Sequence, residues 1–266
     1  MNTIVFLGGG RITSAMLAGL RLAKTKHRFV VHDRNPGKLR DLSKRYSVAV
    51  EPNLQNAVQQ ADLLIVAVRP SSVAELLHAV RKPNRPLLAV SVAAGVPFRM
   101  LTKARGSPVR WARAMPSPAC RSGRGLTGVT FPRTLPPRDR RRVIDLFASL
   151  GQVIEIPESK FDAFTVTYSC SHGYHALAAL AKAGQAAGLH RRVALVASAH
   201  ALADGIIAWR EGKYSLESLL EEAATPGGIA ATTMAAMDAA GYRKAVGQGV
   251  RAGLRRARAT ATHDFS

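Results

Sequence analysis

Up to about residue 155, short apolar runs alternate with helix-compatible segments, and after residue 157 the apolar runs stop. This change of texture is the strongest constraint on the fold. Strand-length runs are expected at 3–7, 28–32, 49–50, 63–68, 87–92, 110–114, 129–131 and 152–155. Two of them, LLIVAV and LLAVSV, are continuously apolar, as strands covered on both faces must be. Helical stretches at 12–24, 36–45, 54–60, 71–80 and 97–103 lie between the runs, which predicts a doubly wound α/β domain. Beyond Pro157 the chain is alanine-rich, with apolar residues at helical spacing. Helices are expected at 172–187, 192–212, 215–224, 229–240 and 243–258, with a frayed tail from Ala259. The division predicted is 1–157 for a nucleotide-binding domain and 158–266 for an all-α domain.

The first run meets Gly8, Gly9 and Gly10 and then an alanine-rich helix start. Unpaired N–H groups and positive dipole at a helix start attract phosphate. Gly8 and Gly10 suit a sharp turn and a close approach to a diphosphate, whereas the third fingerprint position is Thr13. Arg11 and Ile12 complete the loop. The second strand leads into Asp33, Arg34 and Asn35. Asp33, 23 residues after Gly10, suits a ribose diol, and Arg34 suits a 2′-phosphate. These cues oppose each other, and the arginine favours NADP(H) over NAD(H). Ligands in such sheets lie beyond the carboxyl ends of the strands. Asn53, the stretch Ala67, Val68, Arg69 and Pro70, and the stretch Ala94 and Gly95 are the further candidates there.

The formal net charge is +21, with 38 Lys and Arg against 17 Asp and Glu. The densest clusters, 138–142 and 251–258, lack the interleaved aromatics of a nucleic-acid binder, so they read as solvated helix faces. No run of 18 uninterrupted apolar residues points to a membrane span, and no basic n-region precedes the first apolar run. Cys120 and Cys170 have no metal or redox spacing, which suits a reducing, cytoplasmic setting. His172 and His175 lack the acidic or cysteine companions of a metal site, so no metal is expected.

Over nearly its full length the chain resembles pyrroline-5-carboxylate reductases. The resemblance rests on FLGGGRITSAMLAGL, ADLLIVAVRP, SVAAGV, RAMPSPACRSGRGLT, AGQAAGL, TPGG and GYRKAV, in that order. It implies a Rossmann domain, a helical dimerisation domain forming a homodimer, and NAD(P)H-dependent reduction of a cyclic imine. It also implies cofactor contacts at Gly8 to Thr13, Arg34, Asn35, Asn53, Ala67 to Pro70, and Ala93 to Gly95.

The departures from that family fall where the substrate is expected. The family's Ser-Gly-Ser-Gly-Pro-Ala-Tyr stands here as Tyr168-Ser169-Cys170-Ser171-His172-Gly173-Tyr174. Its Pro-Gly-Gly-Thr-Thr becomes Pro226-Gly227-Gly228-Ile229-Ala230, in which the last two side chains donate no hydrogen bond. Ser117 replaces an asparagine. Ser117, Ser171, Thr225, Gly227, Gly228 and Ala230 are therefore the substrate-side candidates, and Ser169 or Ser171 is expected to cap the helix. His172, His175 and Tyr168 are candidates to protonate the imine nitrogen. Two alternatives stand beside proline formation: reduction of another cyclic imine, and dinucleotide binding without catalysis.

Overall fold

The computed structural model describes residues 2–212 and 214–263. Eight strands form one sheet in the order β3-β2-β1-β4-β5-β6-β7-β8. They are β1 (Thr3–Leu7), β2 (Arg28–His32), β3 (Ala49–Val50), β4 (Leu63–Val66), β5 (Leu87–Ser91), β6 (Val109–Pro116), β7 (Gly125–Thr130) and β8 (Gly151–Glu155). Helices α1 (Arg11–Leu22), α2 (Pro36–Tyr46), α3 (Leu54–Gln60), α4 (Val73–Ala79), α5 (Phe98–Ala104) and α6 (Pro137–Ala148) connect them. The order reverses between β1 and β4, which makes that crevice the switch point of a Rossmann-type sheet.

The pleat explains the two cores. Ile4 and Phe6 join one cluster with Met16, Leu20 and Phe147; Val5 and Leu7 join the other with Val66, Leu77 and Leu101. A strand sandwiched this way has no polar face, hence the unbroken apolar runs.

The sheet is not parallel throughout: β7 runs antiparallel to β6, and β8 runs parallel to β7. Only the short 3₁₀ stretch Pro118–Ser122 and its flanks separate β6 from β7. That link is too short for a crossover helix, so the chain must turn back. Helix α6 then supplies the crossover to β8. It was not expected as an element: its arginines read as a charge cluster, yet Val143, Leu146 and Phe147 pack beneath them.

Helices α7 (Glu158–Thr167), α8 (Ser171–Ala186), α9 (Arg191–Glu211), α10 (Leu216–Ala223), α11 (Ile229–Ala239) and α12 (Tyr242–His263) complete the chain. By packing, the described residues up to Tyr168 and those from Ala252 onward form one unit, and Ser169–Arg251 form the other. Helix α7 thus packs with the sheet-bearing unit, on the far side of the expected boundary at 157. Gly253 of α12 lies so close to Val166 of α7 that a Cβ would sit 2.7 Å from its Cγ1. Helix α12 continues to His263 where a tail was expected from Ala259; residues 264–266 of that tail lie outside the described residues.

In the second unit the apolar residues are largely exposed. Ala181, Ala194 and Ser198 are buried, whereas Val193, Val196, Ile206, Ile207 and Trp209 of α9 are open to solvent. By length and composition alone α9 could also cross a membrane, and little of it is buried inside the structure.

Candidate functional site

The glycine loop leaves β1 at Gly8, whose φ of +110° is a left-handed conformation. A Cβ there would also lie 2.6 Å from the carbonyl oxygen of Ala67, so glycine is required on two counts. At Gly10 a Cβ would meet nothing within 4 Å. Gly10 is the N-cap of α1, no side chain caps that helix, and its first turn carries no acid. Bare N–H groups beneath open space, followed by Arg11, form a donor set that fits a diphosphate. Thr13, the irregular third position, is fully buried and donates its hydroxyl to the Gly8 carbonyl at 2.5 Å. A side chain that ties the loop to its helix thus occupies the place of a small residue.

Asp33 braces the same loop. Its Oδ2 accepts the Gly9 N–H at 2.7 Å, its Oδ1 accepts the Asn35 N–H at 2.9 Å, and Lys38 lies 3.6 Å away. Burial acts to raise the pKa of this carboxyl, but the two N–H bonds and Lys38 outweigh it and the net shift is downward. Beside it, Arg34 is exposed and pairs with Glu75 of α4 at 2.9 Å. Asn35 and Asn53 are helix caps: Asn35 accepts from Lys38 N, and Asn53 from Gln55 N and Asn56 N. Their carbonyl oxygens are engaged in starting α2 and α3.

The loop after β4 meets the glycine loop at the switch point, and the chain leaving β5 is tied to the end of β4. Ala67 N–H donates to the Leu7 carbonyl at 2.8 Å, and Val92 N–H to Val66 at 3.0 Å. Ala67 and Ala93 are buried, Val68 and Ala94 lie near them in sequence, and Gly95 turns with φ of +70°. Arg69 caps the 3₁₀ turn Pro70–Ser72. The sequence-predicted dinucleotide residues are therefore gathered at one sheet edge.

Of the substrate-side candidates, two are brought together. Tyr168, at the end of α7, donates its hydroxyl to Ser117 Oγ at 2.9 Å and accepts the Leu126 N–H at 2.8 Å. Its ring stacks on Phe164 with centroids 5.2 Å apart. Ser117 is buried and also accepts the Ala119 N–H. The phenol thus has both a donor and an acceptor partner. Two sequence departures that looked separate form one contact.

The remaining candidates lie in the second unit. The N-cap of α8 is Cys170, which corrects the expected serine cap; Ser171 is the first helical residue, and its Oγ lies 2.7 Å from Ser169 Oγ. His172 and His175 are exposed in the first two turns of α8. Gly228 caps α11, Gly227 is left-handed with φ of +75°, and Ile229 is 89 % exposed beside exposed Thr225 and Ala230. Thr232 and Thr233 donate back to the carbonyls of Gly228 and Ile229, so their hydroxyls serve their own helix.

Sequence reasoning missed Arg113. It is 1 % exposed on β6, lies over the Phe161 ring at 4.6 Å, and reaches Glu158 at 3.4 Å and Asp162 at 3.5 Å. Burial lowers its pKa, and the two acids oppose that shift. It fastens the start of α7, and the chain leading to Tyr168, to the sheet. The available signal was an arginine at an interior position of a strand, in the RAMP stretch.

A Rossmann-type sheet with a bare glycine-loop helix start, followed by a helical unit, defines a two-domain, NAD-binding oxidoreductase fold. The family model for NADP oxidoreductase, coenzyme F420-dependent, matches residues 3–95, and that for pyrroline-5-carboxylate reductase dimerisation matches residues 158–260. A pyrroline-5-carboxylate reductase of Synechocystis sp. is 30 % identical over 94 % of this chain and 95 % of its own length. One of Mycobacterium leprae is 35 % identical over 76 % of this chain and 72 % of its own. The crystal structure of Plasmodium falciparum pyrroline carboxylate reductase with NADP bound shares the fold, with a TM-score of 0.87, 20 % identity and 98 % of each chain covered. The chain belongs to the pyrroline-5-carboxylate reductase family.

Proposed function

We propose that this protein is an NAD(P)H-dependent reductase of a cyclic imine, with pyrroline-5-carboxylate as substrate and proline as product. The observation that carries the reading is the uncapped glycine-loop helix at the sheet's switch point, in a chain of this family. Gly10, Arg11 and Ile12 would hold the diphosphate, with Gly8 and the buried Thr13 shaping the loop beneath it. Arg34, Asn35 and Asn53 would face the adenosine end, and Ala67 to Pro70 with Ala94 and Gly95 would face the nicotinamide. NADP(H) is favoured because Asp33 is spent on the loop while Arg34 and Lys38 supply positive charge. The bound dinucleotide supplies the hydride. The protein's part is to orient the imine, exclude water and deliver a proton to its nitrogen. His172 and His175 can carry that proton, and Tyr168 acts as a positioning residue because its hydroxyl is committed elsewhere. Ser171, Thr225, Gly227, Gly228 and Ala230 would meet the substrate.

The helical unit, which packs as Ser169–Arg251 within the expected 158–266, is assigned as the subunit contact of a homodimer. The exposed apolar face of α9 then serves as interface rather than membrane span. The two free thiols suit the cytoplasm, and the positive charge is read as solvated surface rather than a nucleic-acid site.

Following NADPH absorbance with pyrroline-5-carboxylate tests the reading. Turnover at the rate of a metabolic enzyme is expected, and no turnover with intact cofactor binding would refute it. A second reading, reduction of a different cyclic imine, is favoured by Ile229 and Ala230, which offer no side-chain donors where the family has two hydroxyls. Turnover confined to other imines, together with pyrroline-5-carboxylate activity appearing only in Ile229→Thr/Ala230→Thr, would select it.

A further inference from the structure

We propose that Glu75 sets the preference between phosphorylated and unphosphorylated dinucleotide by competing with the 2′-phosphate for Arg34. The inference rests on the dinucleotide reading above. The two cations that follow β2 already have acidic partners. Lys38 lies 3.6 Å from Asp33, and Arg34 lies 2.9 Å from Glu75. Asp33 cannot trade places with Glu75, because both its oxygens hold N–H groups of the glycine loop and the α2 turn. Glu75 has a different setting. It stands in the first turn of α4 with its side chain 67 % exposed, and Arg34 is 78 % exposed. An ion pair this open is weak and exchangeable.

A 2′-phosphate brings about two negative charges and takes an arginine fork in both its donors. To use Arg34 it must draw the guanidinium from Glu75 or share it, with the displaced carboxylate still close by. A ribose without the phosphate makes no such demand, and the Arg34–Glu75 pair can stay closed. Glu75 therefore lowers affinity for the phosphorylated form selectively. It acts through Arg34 and is a positioning residue.

Dissociation constants of NADPH, NADH and 2′,5′-ADP, measured by calorimetry on the full chain, test this in wild type, Glu75→Gln, Arg34→Gln and the double variant. Glu75→Gln is expected to bind NADPH and 2′,5′-ADP about three- to tenfold more tightly, with NADH changed less than about twofold. In the Arg34→Gln background the Glu75→Gln gain should vanish. Unchanged NADPH affinity, an equal change for NADH, or a gain that persists without Arg34 would each overturn the proposal. Wild type that binds neither dinucleotide would overturn the underlying reading and this inference with it, whereas wild-type binding with a silent Glu75→Gln would overturn the inference alone.

Discussion

Asp33 holds a part-buried N–H of the glycine loop with a charge, and that makes the loop sensitive to acid. Its folded pKa lies below the ordinary value of 3.8, so its contribution to stability is present above that value and is lost as pH falls through the folded one. Asp33→Asn should cost about 1–2 kcal/mol at neutral pH and flatten the acid limb of the stability curve, as read by urea unfolding between about pH 2 and 7. An unchanged acid limb would mean that other carboxylates dominate it. Tyr168 gives the second prediction at this scale. Tyr168→Phe strands the Leu126 N–H and should cost about 1–2 kcal/mol, while the pH dependence of imine reduction stays as in wild type. A displaced pH profile would restore the phenol as proton donor. These contacts were hidden in the sequence. Asp33, Tyr168 and Ser117 were visible as residue types, but their partners fold in from elsewhere in the chain.

At the scale of elements, the link between β6 and α7 is ionic inside an apolar setting. Arg113→Met would leave Glu158 and Asp162 without their cation. It should destabilise the protein by about 3 kcal/mol and speed amide exchange through α7, measured by hydrogen–deuterium exchange. Glu158 also accepts the Phe98 N–H at 2.6 Å, so α5 should loosen with it. If exchange in α7 stays at the wild-type rate, Arg113 does not fasten that helix. The strands of the parallel region were legible from their apolar runs, and α2 and α3 from Asn35-Pro36 and Asn53. Helix α6 was not, because four arginines mask its buried stripe. Nor was the direction of β7: periodicity reports which face is buried, not which way the chain runs.

For the whole molecule, the apolar side chains exposed on α9 set the expectation. Ile207→Glu should convert a dimer to a monomer in analytical ultracentrifugation and lower the melting temperature, because a charge in an apolar interface has no partner. An unchanged sedimentation coefficient would place the subunit contact elsewhere. The same variant bears on the imine site only if that site needs both subunits.

By itself the sequence determined the layered α/β half, the helical half, the glycine loop and the family, because these rest on local periodicity, turn residues and short motifs. Tertiary structure alone decided that Asp33 is spent on Gly9, that Arg34 is held by Glu75, and that Tyr168 and Ser117 are partners. The physical reason is range. Patterning is set within a few residues, whereas the partner of a polar group is chosen by whatever long-range packing brings within 3 Å of it.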